Sequence, residues 1–234
     1  MFNPHPRVES LAIDGNNQCL LIDNALLEPE RWVERASLHR EAFEALPGNA
    51  YPGLELHLPA GVTAMLDALL SQTGIRTKLR AGPTLNAYSR LAMVTRAPET
   101  LEPRQWICHR DRLTRSPQEC ALASVLYLFE NAELGGTSFY RPRFDESTIA
   151  ELVHDSGVLD AASFRKRHAI EPGYLTASNP YFEKTLTIPS QFNRLIFYSG
   201  EIFHSSHIGA AEKLSADPTK GRLTMNGFFV CVRG

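Results

Sequence analysis

The sequence predicts one domain of mainly β structure with α-helices at its flanks. Three observations point there. From Leu85 onward, short apolar and β-branched runs recur between Gly, Pro, Asn and Asp: Leu85 to Thr95, Ala121 to Phe129, Thr137 to Tyr140, Thr185 to Ile188, Arg194 to Ser199 and Arg222 to Val232. Helical stretches do not alternate with these runs, which favours a sandwich or barrel over βαβ units. The first third instead shows helical periodicity, and the chain carries no internal repeat and no low-complexity tract, so a single domain over 1–234 is the simplest organisation.

Each element has its own signal. Residues Met1 to Asn17 lack a basic-then-apolar leader pattern. No apolar run approaches the ~20 residues that span a bilayer; a cytoplasmic protein with no membrane partner is the expectation. Gln18 to Ile22 is an apolar run ending in Asp-Asn, as a strand followed by a turn would. Leu27 to Leu46 places Trp32, Val33, Ala36, Phe43 and Leu46 among charges, a helical spacing, with Pro29 near its start, where proline is tolerated. Gly48 to Leu58 reads as loop, and Val62 to Leu70 as a second amphipathic helix ending near Gly74. Residues 1–84 are therefore expected to form a mixed, helical support and residues 85–234 the β core. Within that core, Glu146 to Ile170 carries Ile149, Leu152, Val153, Val158, Leu159 and Phe164 among polar residues, predicting a helical insertion at about 146–170 packed beside the sheets.

Composition narrows the partners. The apolar share of 43% and charged share of 21% are those of an ordinary globular protein. A formal net charge of -2 argues against nucleic acid and anionic membrane, which attract basic surfaces. The four cysteines, Cys19, Cys108, Cys120 and Cys231, form no C-x-x-C pair, and a chain of this length needs no disulfide framework; reduced, buried thiols are expected.

Three constellations carry chemistry. In Cys108-His109-Arg110-Asp111, alternate residues of an extended segment face one side, so His109 and Asp111 can address one ion while Arg110 points away. Far along the chain, the apolar run Leu195 to Tyr198 leads to Phe203-His204-Ser205-Ser206-His207. A strand there can add His204, with His207 as an alternative, and two histidines plus one carboxylate leave open positions on an octahedral iron(II). Gly221-Arg222-Leu223-Thr224 opens the last strand; Arg222 and Thr224 share a face, and a guanidinium fork suits a carboxylate. Asn86 and Tyr88, two apart on the strand before H-x-D, are candidates for the same pocket face.

Taken in order, these features resemble the 2-oxoglutarate/iron(II) dioxygenase superfamily, particularly its prolyl-hydroxylase-like branch. The resemblance runs from about Leu85 to Val232. It rests on His109 and Asp111, Leu126-Tyr127-Leu128, Gly135-Gly136-Thr137-Ser138-Phe139, Arg194-Leu195-Ile196-Phe197 leading to His204, and Gly221-Arg222-Leu223-Thr224. A polar excursion, Ile208 to Lys220, separates the last two. The resemblance implies a double-stranded β-helix (jelly roll) core with its metal at the open end. It implies that His109, Asp111 and His204 bind iron(II) and are catalytic. Arg222 would hold the far carboxylate of 2-oxoglutarate, helped by Thr224 and by Tyr127 or Tyr88, with Asn86 near the same pocket. The implied reaction is hydroxylation of a C–H bond with release of succinate and CO2. Asp111 matters here, because the superfamily's halogenases lack that carboxylate. The rival is a non-catalytic jelly-roll module that binds a metal or ligand. Arg104, Arg110, Arg112 and Arg115 surround H-x-D and Arg141 and Arg143 follow Tyr140, which makes an acidic small molecule or peptide the substrate class to test.

Overall fold

Strand alternation decides the architecture. The computed structural model describes residues 1–46, 48 and 50–234. In chain order its elements are β1 (Val8–Ala12), β2 (Gln18–Ile22), α1 (Glu30–Leu38), β3 (Gly53–His57), α2 (Ala60–Gln72), α3 (Ile75–Lys78) and β4 (Ala81–Val94). Then come β5 (Glu119–Tyr127), β6 (Thr137–Pro142), α4 (Glu146–Val158), α5 (Ala161–His168), β7 (Phe182–Ile188), β8 (Leu195–Ser199), β9 (Phe203–Ser206) and β10 (Arg222–Arg233). Seven strands form one sheet in the order β1-β2-β8-β5-β10-β4-β3, and three form a second in the order β7-β6-β9. Every pairing within them is antiparallel.

The last strand shows how two faces are kept apart. Its odd residues Leu223, Met225 and Phe229 are fully buried in a cluster with Leu91 and Met93 of β4, Leu122 and Leu126 of β5, and Ala36, Leu66, Leu70 and Ile75 of the first three helices. Burying each such side chain contributes roughly 1.5–3 kcal/mol, so this outer face fastens α1–α3 to the large sheet. The even residues Arg222, Thr224, Asn226 and Phe228 face the other way, toward the small sheet. Between the sheets pack Leu21, Ala123, Tyr127, Ile196 and Tyr198 from one side and Phe139 and Ile188 from the other. On the far side of the small sheet, Tyr140, Phe182 and Phe203 meet Ile149 and Leu152 of α4 and Phe164 of α5. Asp145 and Asp160 start those two helices, accepting hydrogen bonds from the Thr148 and Ser163 backbone N–H groups at 2.9 Å each. The result is a mainly β double-stranded β-helix with helices covering both outer faces.

Three expectations need correction. The helix expected over Leu27 to Leu46 stops at Leu38; a short 3-10 turn over Arg40–Ala42 follows, and Phe43 is extended. The stretch Gly48 to Leu58 is not all loop: β3 occupies Gly53–His57 and pairs with β4, while Asn49 lies outside the described residues. Its alternation was masked because the inward position is Glu55, buried at 4% exposure and paired with Arg90. Finally, β1, β2 and β3 all belong to the large sheet, so residues 1–84 build the core as well as supporting it. Among the described residues no helix is long and apolar enough to cross a membrane.

Candidate active site

Backbone pairing brings the distant histidine to the H-x-D segment. His109 and His204 exchange backbone hydrogen bonds at 3.0 and 2.9 Å, and the Asp111 N–H donates to the Gly200 carbonyl at 2.8 Å. One ligand atom each from His109, Asp111 and His204 lies within 4.8 Å of the others. Nε2 of His109 is 3.7 Å from Asp111 Oδ1, and Nε2 of His204 is 3.6 Å from Oδ2. Those separations are too long for hydrogen bonds and suit donors arranged around one ion. Nδ1–H of His204 donates to the Ile202 carbonyl at 2.8 Å, which leaves its Nε2 lone pair facing Asp111. Asp111 Oδ2 is buried with no hydrogen-bond partner, and a buried carboxylate oxygen left so is costly without a cation.

Local surroundings act differently on each member of the set. Desolvation, reinforced by His204 and Arg90, pushes the His109 imidazole down to about 3, so it is neutral and able to donate its lone pair. Burial raises the Asp111 carboxyl, and His204 and Arg90 oppose that rise. Gly200 makes room: a Cβ there would stand 2.9 Å from Asp111 Oδ2 and 3.0 Å from its Cβ. Arg110 leaves the donor set, as alternation predicts, for the rim of the mouth, where it pairs with Glu146 and lies 4.1 Å over the Phe203 ring. Two nitrogens and one carboxylate in this arrangement match the donor set of a non-haem iron(II) centre.

Behind the ligands is a cavity of about 60 Å³ whose lining includes His204, Arg222, Thr224, Thr137, Tyr198 and Asn226. Arg222 is 2% exposed. Its Nε and Nη2 donate to the Gly135 and Gly136 carbonyls at 3.2 and 2.7 Å. The turn presents those carbonyls because no side chain fits: a Cβ on Gly135, whose φ is +76°, would fall 1.6 Å from the His207 carbonyl oxygen. The guanidinium lies over Tyr127 at 5.9 Å and Phe129 at 5.5 Å. Among the described residues no carboxylate forms an ion pair with it. Burial pulls its pKa down, and the Tyr51, Tyr127, Tyr174 and Tyr198 phenols push the other way. Thr224 shares the cavity, donating to the Ala92 carbonyl at 3.3 Å. Asn226 Oδ1 is buried without a hydrogen-bond partner.

In front, a mouth of about 230 Å³ shares Tyr51, Arg90, His109, Asp111 and Phe228 with that cavity. The structure thus assembles His109, Asp111, His204, Arg222 and Thr224. Tyr127 sits one layer back: its ring faces Arg222 and its hydroxyl is 2.8 Å from Thr137 Oγ1. Tyr88 belongs to the mouth instead, stacked on Phe228 at 4.8 Å. Asn86 is not brought in. It shares the parity of Tyr88, but it lies two residues earlier on β4, is exposed and lines neither cavity. His207 is outside the donor set, with Nδ1 3.0 Å from Ser138 Oγ.

Several site residues escaped the sequence reading. Arg90 follows Tyr88 by two, and Asn226 and Phe228 continue the Arg222–Thr224 alternation, so parity along two strands could have found all three. Tyr51 and Tyr174 come from loops with no such signal.

The chain belongs to a family of unknown function (DUF6445), whose profile matches residues 4–229. No curated protein sequence matches it. Among solved structures it is similar to the epimerase SnoN in complex with Fe3+, alpha ketoglutarate and nogalamycin RO, at 13% identity and a TM-score of 0.47 over 94% of this chain and 82% of that one. It is similar also to HygX from Streptomyces hygroscopicus with nickel and 2-oxoglutarate bound, at 12% and 0.47 over 93% and 83%. A third is EvdO2 from Micromonospora carbonacea var. aurantiaca complexed with 2-oxoglutarate, at 13% and 0.46 over 97% and 94%.

Proposed function

We propose that this chain is an iron(II)- and 2-oxoglutarate-dependent oxygenase that hydroxylates a C–H bond of its substrate and releases succinate and CO2. The observation that carries this reading is Arg222, a fully buried cation with no carboxylate partner among the described residues, placed behind a three-residue metal set. Leaving a guanidinium in such a place costs several kcal/mol unless an anion meets it. A dicarboxylic acid that reaches from the metal to Arg222 would supply that anion.

Each residue then has a task. His109, Asp111 and His204 would hold the iron, with the buried, unpartnered Oδ2 of Asp111 among its donors. Arg222, with the Thr224 hydroxyl beside it, would hold the far carboxylate through the guanidinium donors that the two glycine carbonyls leave free. Tyr127 and Phe129 keep the guanidinium in place, while Tyr51 and Tyr198 wall the cavity from water. Iron(II), when bound, supplies the activation of dioxygen that couples decarboxylation of 2-oxoglutarate to oxidation of substrate.

Membership of the prolyl-hydroxylase-like branch is part of the same proposal, supported by the order Tyr127, Gly135-Gly136, His204 and Arg222 along the chain. A cytoplasmic setting is supported by four free, buried cysteines. The test is aerobic incubation of iron-loaded protein with 2-oxoglutarate, measuring succinate. Succinate formed by wild type and abolished in Asp111→Ala is the expected result. Metal and 2-oxoglutarate bound with no succinate, across a substrate screen, would return the chain to the binding modules.

A further inference from the structure

The mouth in front of the metal is charged unevenly. Among its described lining residues are three arginines, Arg90, Arg110 and Arg112, and one acidic side chain, the metal-set residue Asp111. Arg90 is answered by Glu55 at 2.6 Å. Arg110 is answered by Glu146 through two contacts of 2.8 and 3.2 Å, and its position over Phe203 fixes the pair. Arg112 has only a share of the same glutamate, at 3.7 Å, and its side chain is 63% exposed. One carboxylate cannot neutralise two guanidinium groups, and an exposed contact of that length is worth little. The other arginines near H-x-D and Tyr140 do not add to this count. Arg104 donates to the Gly48 carbonyl and Arg141 pairs with Glu183, and none of Arg104, Arg115, Arg141 and Arg143 lines the mouth.

Much of the remaining lining is apolar. Tyr88 stacks on Phe228 with an interplanar angle of 19°, Arg90 covers the Phe228 ring at 4.8 Å, and Tyr88 remains 39% exposed. Ile107 and Leu113 continue that surface from the H-x-D side. Tyr174 and Leu175 close it from the connection between α5 and β7, held by a 2.6 Å bond from Tyr174 OH to the Arg96 carbonyl and a 2.8 Å bond from Tyr140 OH to the Leu175 carbonyl.

We infer that the substrate is a small molecule with an apolar, planar body and an oxyanion, a carboxylate or a phosphate, that is held by Arg112 at the mouth. This rests on the oxygenase reading. The apolar body lies against the exposed ring of Tyr88, which Phe228 backs, and the anion supplies the second negative charge that Arg110 and Arg112 together lack. A guanidinium fork recognises either oxyanion through paired N–H donors. Because Arg112 is exposed, the attraction weakens as salt rises.

Four probes of similar shape and different charge test it: phenylacetate, benzylphosphonate, phenylacetamide and phenethylamine. Their binding is read by ligand-observed NMR on the full chain loaded with zinc, as a redox-inert metal, and saturated with 2-oxoglutarate. One or both anions are expected to bind about tenfold more tightly than the amide and the amine, as one charge-assisted contact implies, and the difference between the two identifies the preferred oxyanion. Arg112→Gln should bring the bound anion to the level of the amide, and added salt should do so progressively. Equal binding of all four probes, no binding by either anion, or an unchanged preference in Arg112→Gln would overturn the inference. Failure of the oxygenase reading shows separately, as zinc-loaded protein that takes up no 2-oxoglutarate. In that event the charge preference is still read in an Arg222→Gln background, where Arg222 cannot hold the probe.

Discussion

Two arginines enter one interior from neighbouring strands, and their surroundings differ. Arg90 on β4 has Glu55 at 2.6 Å, and that glutamate is itself 1% exposed at its side chain. Arg222 on β10 has two glycine carbonyls, a pair of aromatic rings and no carboxylate among the described residues. Both are held away from water, so both need their charge answered. Arg90 has its answer in the fold and acts as structure. Arg222 lacks one among the described residues, and under the proposed function an anion supplies it.

Exchange to glutamine separates the two arginines most clearly. Arg222→Gln should weaken 2-oxoglutarate binding by about 100-fold, the loss expected when charge-assisted contacts go. Its melting temperature should hold or rise, since no buried carboxylate is stranded. Arg90→Gln should do the reverse: urea unfolding should show a loss of about 3 kcal/mol as Glu55 loses its cation, with 2-oxoglutarate affinity changed only a few-fold. If both variants lose affinity alike, the distinction between the two arginines fails.

A sharper version gives Arg222 what Arg90 already has. Thr224 is two residues from Arg222 on the same face and 1% exposed, and Thr224→Asp is close to it in volume. The new carboxylate should pair with the guanidinium and lower 2-oxoglutarate affinity by about tenfold, as one charged contact is diverted, while leaving metal affinity intact. Gly200→Ala probes the metal side at comparable size. Its Cβ would press on Asp111, and metal affinity measured by competition with a chelator should fall about tenfold, in line with losses from mispositioned ligands.

The smallest effect belongs to a peripheral pair. Asp155 accepts a hydrogen bond from His168 Nε2 at 2.8 Å and lies 3.1 Å from Arg167 Nε. The His168 hydrogen bond, more than the nearby charges, holds its carboxyl below the usual range. A depressed folded pKa contributes stability above the ordinary carboxylate range, and that stability is lost as pH falls through the folded value. Urea midpoints of wild type should therefore drop as acid reaches that range, and Asp155→Asn should show a flatter acid limb. Unlike either buried arginine, this pair should leave 2-oxoglutarate binding unchanged.

What was legible in the sequence follows from the same physics. Strands whose inward residues are apolar announce themselves: β2 falls on Gln18–Ile22 as expected, and β5, β8 and β10 lie within two residues of it. Two strands whose facing pattern is broken by charge or hydroxyl did not. In β3 the inward residue is Glu55, and β1 is the largely exposed Val-Glu-Ser-Leu-Ala. The candidate metal set could be drawn up from H-x-D spacing, a histidine after an apolar run, and the order of these features along the chain. Arg222 and Thr224 were legible from parity on one strand. The partner that makes Arg90 a structural residue was not, because Glu55 and Arg90 meet only through the β3–β4 pairing. Nor was the mouth, whose Tyr51 and Tyr174 arrive on loops.

The most direct measurement is anaerobic titration of the iron(II)-loaded protein with 2-oxoglutarate, following the weak visible charge-transfer band of the chelate. Wild type and Arg90→Gln should develop the band over similar concentrations, and Arg222→Gln should need about 100-fold more co-substrate, the equivalent of two decades in affinity. A folded, iron-loaded wild type that develops no band, or an Arg222→Gln variant that titrates like wild type, would contradict the assignment of Arg222 as the anchor for 2-oxoglutarate.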